Sequence, residues 1–252
     1  MLKNKLLVAA LASAFAMPAM AADFTPSSNV SLVTDYLYRG ISQSGANPAL
    51  QGGFDLAHAS GAYIGVWGSS ISWVSDAGLA NSAGVELDTY AGYKGAAGDV
   101  AYDVGFLRYN YPGSYVANVT KPDTNEIYGA VTYSVVTAKL SYALGDLFGV
   151  SNAKGSTYLE VNASYAIPDT GITVGAHYGK QAYKGSTADG FKAAGTDPTY
   201  TDYKLSVSKD FSGYVLGVAY SNTNASSFYT TITPEAKKLG KSTAVLSLSR
   251  AF

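Results

Sequence analysis

The chain of 252 residues carries 14% charged and 13% aromatic residues, 27 glycines, 21 tyrosines and no cysteine. A soluble domain usually carries about 25% charged residues; the missing cysteines exclude disulfides, thiol nucleophiles and thiolate metal sites. A net charge of −1 with no basic run leaves no footprint for nucleic acid, and an apolar share of 47% argues against disorder.

In chain order, Lys3 and Lys5 precede an apolar stretch from Leu6 to Ala16, and Ala19-Met20-Ala21 offers small residues where a leader peptidase cuts. This reads as a secretory signal peptide over residues 1–21, cleaved after Ala21, followed by one domain over 22–252. Cleavage leaves 15 basic against 18 acidic side chains, a net of −3. No later run approaches the ~20 apolar residues of a membrane-spanning helix. From Val30 onward the dominant pattern is instead a two-residue alternation, clearest where Val85, Leu87, Thr89, Ala91 and Tyr93 interleave with Glu86, Asp88, Tyr90, Gly92 and Lys94.

Twelve strands are predicted, over 30–39, 49–58, 61–73, 83–94, 99–111, 124–135, 137–147, 156–167, 171–182, 199–210, 213–222 and 241–252. No helical period competes with them. The prolines, Pro26 among them, are expected between strands or at their margins, because proline cannot donate to a ladder. The connections alternate between short turns and long polar loops around 40–48, 74–82, 112–123, 148–155, 183–198 and 223–240. Such a two-ended object is an all-β, transmembrane, antiparallel up-and-down β-barrel of twelve strands, with short periplasmic turns and long extracellular loops.

The polar strand face is built of Gly, Ser, Thr, Asn and Tyr with isolated charges, which suits a crowded lumen better than a water-facing exterior. Strand tyrosines, including Tyr36, Tyr38, Tyr63, Tyr93, Tyr102, Tyr133, Tyr142, Tyr165, Tyr178 and Tyr220, are candidates for the aromatic girdles of such barrels. In the last strand Ala244, Leu246 and Leu248 alternate toward the terminal Phe252, resembling the signal by which barrel-assembly machinery takes its substrates. Arg250 departs from that pattern and could snorkel to the interface.

A family resemblance rests on Val33-Thr34-Asp35-Tyr36-Leu37-Tyr38-Arg39-Gly40-Ile41-Ser42-Gln43, then Pro48 to Asp55 and Gly61 to Ser69, with later support from Glu86-Leu87-Asp88 and Asp202-Tyr203-Lys204-Leu205. These segments resemble the TorF family of porin-type proteins, Gcw-type conserved outer-membrane proteins of Gram-negative bacteria. The resemblance implies a barrel and a pore, and with them outer-membrane lipid and lipopolysaccharide as surroundings. It brings no defined substrate and no agreed functional residues.

No catalytic constellation, metal site or cofactor motif emerges. His58-Ala59-Ser60 superficially resembles the His-x-Ser arrangement of outer-membrane lipid hydrolases, but it precedes a short turn and should lie on the periplasmic side, where turn residues are the better reading. His177 shares the polar face with Glu160 of the preceding strand, which suggests a lumen hydrogen bond. Function is therefore sought in the lumen. By parity its acids are Asp35, Asp55, Glu86, Asp88, Asp103, Glu126, Glu160 and Asp202, and its bases Arg39, Lys94, Lys139 and Lys204. Of these, Asp35, Arg39, Asp55, Glu86, Asp88, Asp103, Glu126, Lys139, Glu160 and Lys204, together with His177, are the pore-lining candidates. Asp35 and Arg39 are predicted on one face of one strand, about 13 Å apart. Eight acids to four bases favour cations or neutral solutes, and the expected role is passive diffusion of small hydrophilic solutes. Charge pairs that plug the lumen would instead leave a non-conducting barrel with a structural or surface-binding role.

Overall fold

A computed structural model describes residues 23–232 and 236–252. The predicted signal peptide, with its cleavage site at Ala21, lies outside these residues. The described chain forms a closed barrel of twelve antiparallel strands: β1 (Phe24–Val33), β2 (Ala49–His58), β3 (Ala62–Ser70), β4 (Val85–Ala97), β5 (Val100–Asn110), β6 (Thr124–Tyr133), β7 (Val136–Ala143), β8 (Thr157–Ile167), β9 (Ile172–Ala182), β10 (Tyr200–Phe211), β11 (Tyr214–Thr223) and β12 (Thr243–Ala251). Each strand pairs with its sequence neighbours, and β12 closes on β1. Both ends of the barrel sequence lie at the short-turn, periplasmic rim, where Phe24 pairs with His58 and Ala251 with Asn29. Among the described residues no helix is long and apolar enough to cross a membrane; the chain crosses with strands.

Three expectations are corrected. The first strand is Phe24–Val33 rather than 30–39, so the segment carrying Asp35, Tyr36, Tyr38 and Arg39 leaves the wall. Pro26 lies inside β1, opposite Leu56. Its backbone points the same way as that of Ser28, which bonds Phe252, and β12 ends there; the missing N–H therefore falls on a stretch with no neighbour to receive it. Finally, the long loops contain a helical turn at Trp73–Asp76 and a helix at Ser186–Ala193, both too short to impress a helical period on the sequence.

The outer face is apolar, with Leu50 61%, Ile64 57% and Leu205 59% exposed, an arrangement that only a lipid environment accommodates. Exposed tyrosines form two belts: Tyr93, Tyr102, Tyr133, Tyr165 and Tyr214 toward the short turns, Tyr142, Tyr178, Tyr203 and Tyr220 toward the long loops. Tyr36 and Tyr63 are instead buried inside, and Tyr38 packs in the loop. Charges on the outer strand face sit near the rims: Arg108 binds Asn110, Asn125 and Asp123 near the loops, while Arg250 lies 4.4 Å over the Tyr214 ring and 5.1 Å over that of Phe252 at the periplasmic end.

Inside, one wall is filled and the other is open. On β3 to β6, tyrosine rings lie over glycines of facing strands: Tyr90 over Gly65, Tyr63 over Gly92 and Tyr128 over Gly105, each occupying the space a β-carbon would need. The opposite wall presents small side chains, among them Ser206, Gly217, Ala219 and Ser247. Part of the glycine and tyrosine content has this common cause. Gly65→Ala should force the Tyr90 ring out of place and break its 2.7 Å bond to Asp55. An overpacking cost of about 1–3 kcal/mol is expected, measurable as a lower temperature for the heat-induced gel-mobility shift of the folded barrel.

Candidate functional site

The extracellular mouth is narrowed by loop 34–48, which folds inward. Its core is a hairpin in which Leu37–Tyr38 pairs with Ile41–Ser42 through Arg39 (φ 48°) and Gly40 (φ 76°). Positive φ at both positions is the geometry of a two-residue type I′ turn, which suits the glycine well and holds the arginine in a less favoured conformation. Gly40 also presses against the barrel wall, where a β-carbon would approach that of Asp202 to 2.6 Å. At the base of the hairpin, the Ser42 and Ser44 hydroxyls donate to Asp35 Oδ1 at 2.6 and 3.1 Å, and Oδ2 has no hydrogen-bond partner.

Arg39 reaches across the lumen. Its Nη1 donates to Glu126 Oε1 at 3.1 Å and Gln181 Oε1 at 2.8 Å, and its Nη2 to Glu126 Oε2 at 2.7 Å. The guanidinium lies 4.3 Å from the Tyr158 ring and 4.8 Å from that of Tyr38. Glu126 also accepts from Tyr109 Oη, which is 2.5 Å from Tyr38 Oη. Both charges are desolvated, with side chains 6% and 3% exposed, and the bidentate pairing with its added hydrogen bonds from Arg39 to Gln181 and from Tyr109 to Glu126 offsets burial.

The structure brings together Arg39 and Glu126, and, beside them, His177 with its neighbours. His177 Nε2 lies 2.9 Å from Asp202 Oδ1, and Tyr158 Oη donates to the other Asp202 oxygen at 2.9 Å. The expected hydrogen bond to Glu160 is relayed: His177 Nδ1 is 2.7 Å from Asn162 Oδ1, whose amide donates to Glu160 Oε2 at 2.9 Å, while the direct distance is 3.7 Å. Lys204 pairs with His177 across the β9–β10 register, and Lys139 with Glu160 across β7–β8. Glu86 and Asp88 lie buried on β4, with Tyr36 Oη donating to Glu86 at 3.3 Å; one oxygen of each acid has no hydrogen-bond partner. Asp55 and Asp103 sit lower, each held by a tyrosine: Tyr90 at 2.7 Å and Tyr63 at 2.6 Å. Lys94 and Lys139 lie over the rings of Tyr63 and Tyr128.

Asp35 and Arg39 do not share a strand face, because the strand ends at Val33 and the chain reverses at Arg39. Gln181, Tyr158 and Tyr109 complete the network and were not singled out in the sequence, since neutral inward residues carry no charge signal; their parity on the lumen face was the only available clue. At the periplasmic rim, His58 Nδ1 is 2.8 Å from Ser60 Oγ, at the short-turn end of β2 and far from this network in the barrel. Among the described residues no group of three or more His, Asp or Glu could hold a metal ion.

Two cavities meet at the hairpin tip. A polar one of about 540 Å³ runs below it along the small-residue wall, bordered by Lys139, Glu160, His177, Lys204, Ala219 and Ser247. An aromatic one of about 450 Å³ lies above it between the long loops, and Tyr38 and Arg39 border both. Arg39 is thus the partition between vestibule and lumen.

Burial pushes the Asp35 carboxyl up from its ordinary range, against the opposing hydrogen bonds from Ser42 and Ser44. With the folded value above the unfolded one, the stabilisation belongs to the protonated form; it is full below the unfolded value and lost as pH rises through the folded one. Asp35→Asn should therefore be more stable than the unmodified barrel at pH 7, and thermal unfolding should show that advantage shrinking as pH falls into the carboxylate range.

Residues 18–252 match the family described as "Bacterial protein of unknown function (Gcw_chp)". The chain belongs to this family. A search of curated proteins returned no match. Among solved structures, the Gcw_chp protein is similar to one described as "KdgM porin in complex with disordered oligogalacturonate" at 10% identity and a TM-score of 0.51, covering 90% of this chain and 99% of that one. It is similar to a second, described as "Unveiling the Mechanism Behind the in-meso Crystallization of Membrane Proteins", at 8% identity and a TM-score of 0.51, covering 90% and 83%. The Gcw_chp chain therefore has the barrel fold of outer-membrane porins.

Proposed function

We propose that this barrel is a non-enzymatic outer-membrane channel for passive diffusion of small hydrophilic solutes, with a mild preference for cations. The observation that carries the reading is the polar cavity of about 540 Å³ beneath Arg39, bounded on one side by small residues that leave room for a solute. The charge balance supports the cation preference. Arg39 is neutralised by Glu126, whereas Asp35, Asp88, Glu160 and Asp202 border the polar cavity against Lys139 and Lys204. Fixed acids beside a narrow aqueous path raise the local concentration of cations.

Planar-bilayer recording of the purified protein tests this. Stepwise conductance with a reversal potential favouring potassium over chloride is expected, and Asp88→Asn with Glu160→Gln, both on the border of the cavity, should move that potential toward zero. A correctly folded barrel without conductance would overturn the channel reading. The alternative, a non-conducting barrel with a structural or surface-binding role, draws on the bidentate Arg39–Glu126 pair that partitions the interior.

The same reading includes export with cleavage after Ala21, contact of the outer face with outer-membrane lipid and lipopolysaccharide, and docking of β12 with the barrel-assembly machinery through Phe252. Support comes from the leader pattern, the two tyrosine belts and the amphipathic final strand. The lumen candidates Asp35, Arg39, Asp55, Glu86, Asp88, Asp103, Glu126, Lys139, Glu160, His177 and Lys204 would line the path or narrow it.

A further inference from the structure

The vestibule above Arg39 differs in chemistry from the lumen below it. Its walls include Trp73, Phe191, Tyr200, Phe228 and Tyr229, from three different loops and the head of β10. The rings meet edge to face: Phe191 and Phe228 at 5.0 Å, Phe228 and Tyr229 at 4.9 Å, Tyr200 and Tyr229 at 5.0 Å. Such a surface offers both ring faces and edges to a flat guest. Among its described lining residues there is no Asp or Glu, and the sole charged side chain among them is Arg39 on the floor. In the lumen cavity, by contrast, Asp35, Asp88, Glu160 and Asp202 all border the space.

Arg39 also has donors to spare. A guanidinium carries five N–H groups, and the bonds to Glu126 and Gln181 use three of them. A bound anion could therefore be met without first breaking the Glu126 pair. A volume of about 450 Å³ lies within the size range of small-molecule sites.

We propose that the vestibule is a capture site for compact aromatic monocarboxylates, with the ring held among Phe191, Phe228 and Tyr229 and the carboxylate directed to Arg39. Apolar walls favour burial of the ring, and the N–H groups of Arg39 not used by Glu126 and Gln181 give a charge-assisted hydrogen bond to the acid. The inference deepens the channel reading by naming a solute class for its entrance. Binding and flux are nonetheless separate quantities, and the acid-rich lumen beyond the partition governs bulk ion preference.

The test uses Trp67→Phe, which leaves Trp73 as the sole tryptophan of two, in the full-length barrel folded in detergent. Trp67 borders only the lower cavity, so its removal leaves the vestibule intact. Phenylacetate, 2-phenylethanol and acetate serve as probes, with Trp73 emission as the readout. Phenylacetate should give a saturable change, 2-phenylethanol a response about tenfold weaker, and acetate none over the same concentrations. Adding Phe228→Ala should weaken both aromatic probes about tenfold, whereas Arg39→Lys should weaken phenylacetate selectively. No saturable response from a barrel that keeps its folded gel mobility would overturn the proposal. So would an equal response to acetate, or one indifferent to Phe228→Ala. Saturable binding without conductance would overturn the channel reading alone, and conductance without binding would overturn this inference alone.

Discussion

Arg39→Ala is expected to raise single-channel conductance several-fold while lowering stability by about 3–5 kcal/mol, the range for removing one partner of a buried ion pair. The side chain bonds two lumen residues, Glu126 and Gln181, from the tip of an inward hairpin, and its loss leaves Glu126 buried without its counter-charge. The vestibule and lumen cavities, which meet at this residue, would then merge. A double variant separates the two effects. Arg39→Met with Glu126→Leu leaves no buried charge behind, so most of the stability should return, while the apolar side chains still obstruct the passage. Recordings in planar bilayers and thermal unfolding of the same preparations read both quantities. Unchanged conductance in Arg39→Ala would show that the hairpin is held elsewhere, for instance by the Ser42 and Ser44 contacts to Asp35.

Deletion of Phe252 should have the second large effect, on the yield of assembled barrel. The closing seam is the shortest in the barrel wall, with five residue pairs between Asn29–Val33 and Ala251–Ser247. Two further backbone bonds join Phe252 and Ser28, at 2.8 and 3.0 Å. Losing two hydrogen bonds costs about 1–3 kcal/mol at the one seam that must join the two ends of the sheet, and the terminal ring that should address the assembly machinery goes with them. Much less heat-modifiable protein in outer-membrane fractions is expected, whereas Phe252→Tyr, which keeps both the bonds and the ring, should assemble normally. Normal yield of the deletion would show that the terminal residue serves neither purpose.

Most of the barrel was legible because a wall with lipid on one side and a polar lumen on the other must alternate, and Val85–Ala97 or Thr157–Ile167 do so without interruption. The first strand was not, because its residues Thr25, Ser27, Ser28 and Asn29 are polar on both faces and include Pro26, while the following segment happens to alternate. Val33 through Arg39 mimics a strand although it turns inward. Only Gly40, supplying positive φ for a two-residue turn, distinguished the hairpin from a strand's end, and a single glycine among 27 is a faint mark. Charged members of the central network could be listed by parity. Their partnerships could not, since Arg39 and Glu126 are 87 positions apart and meet only once the barrel closes.

The division of the interior into a tyrosine-packed wall and a small-residue wall means that strand number does not set the bore. Twelve strands fix the circumference of the backbone, but where Tyr90 covers Gly65 and Tyr128 covers Gly105 that circumference is spent on side chains. Exchanging such a pair for two mid-sized residues would shift the open path sideways without altering a single backbone pairing. Barrels with one and the same architecture can therefore sieve by different sizes, and selection can retune the sieve one tyrosine–glycine pair at a time.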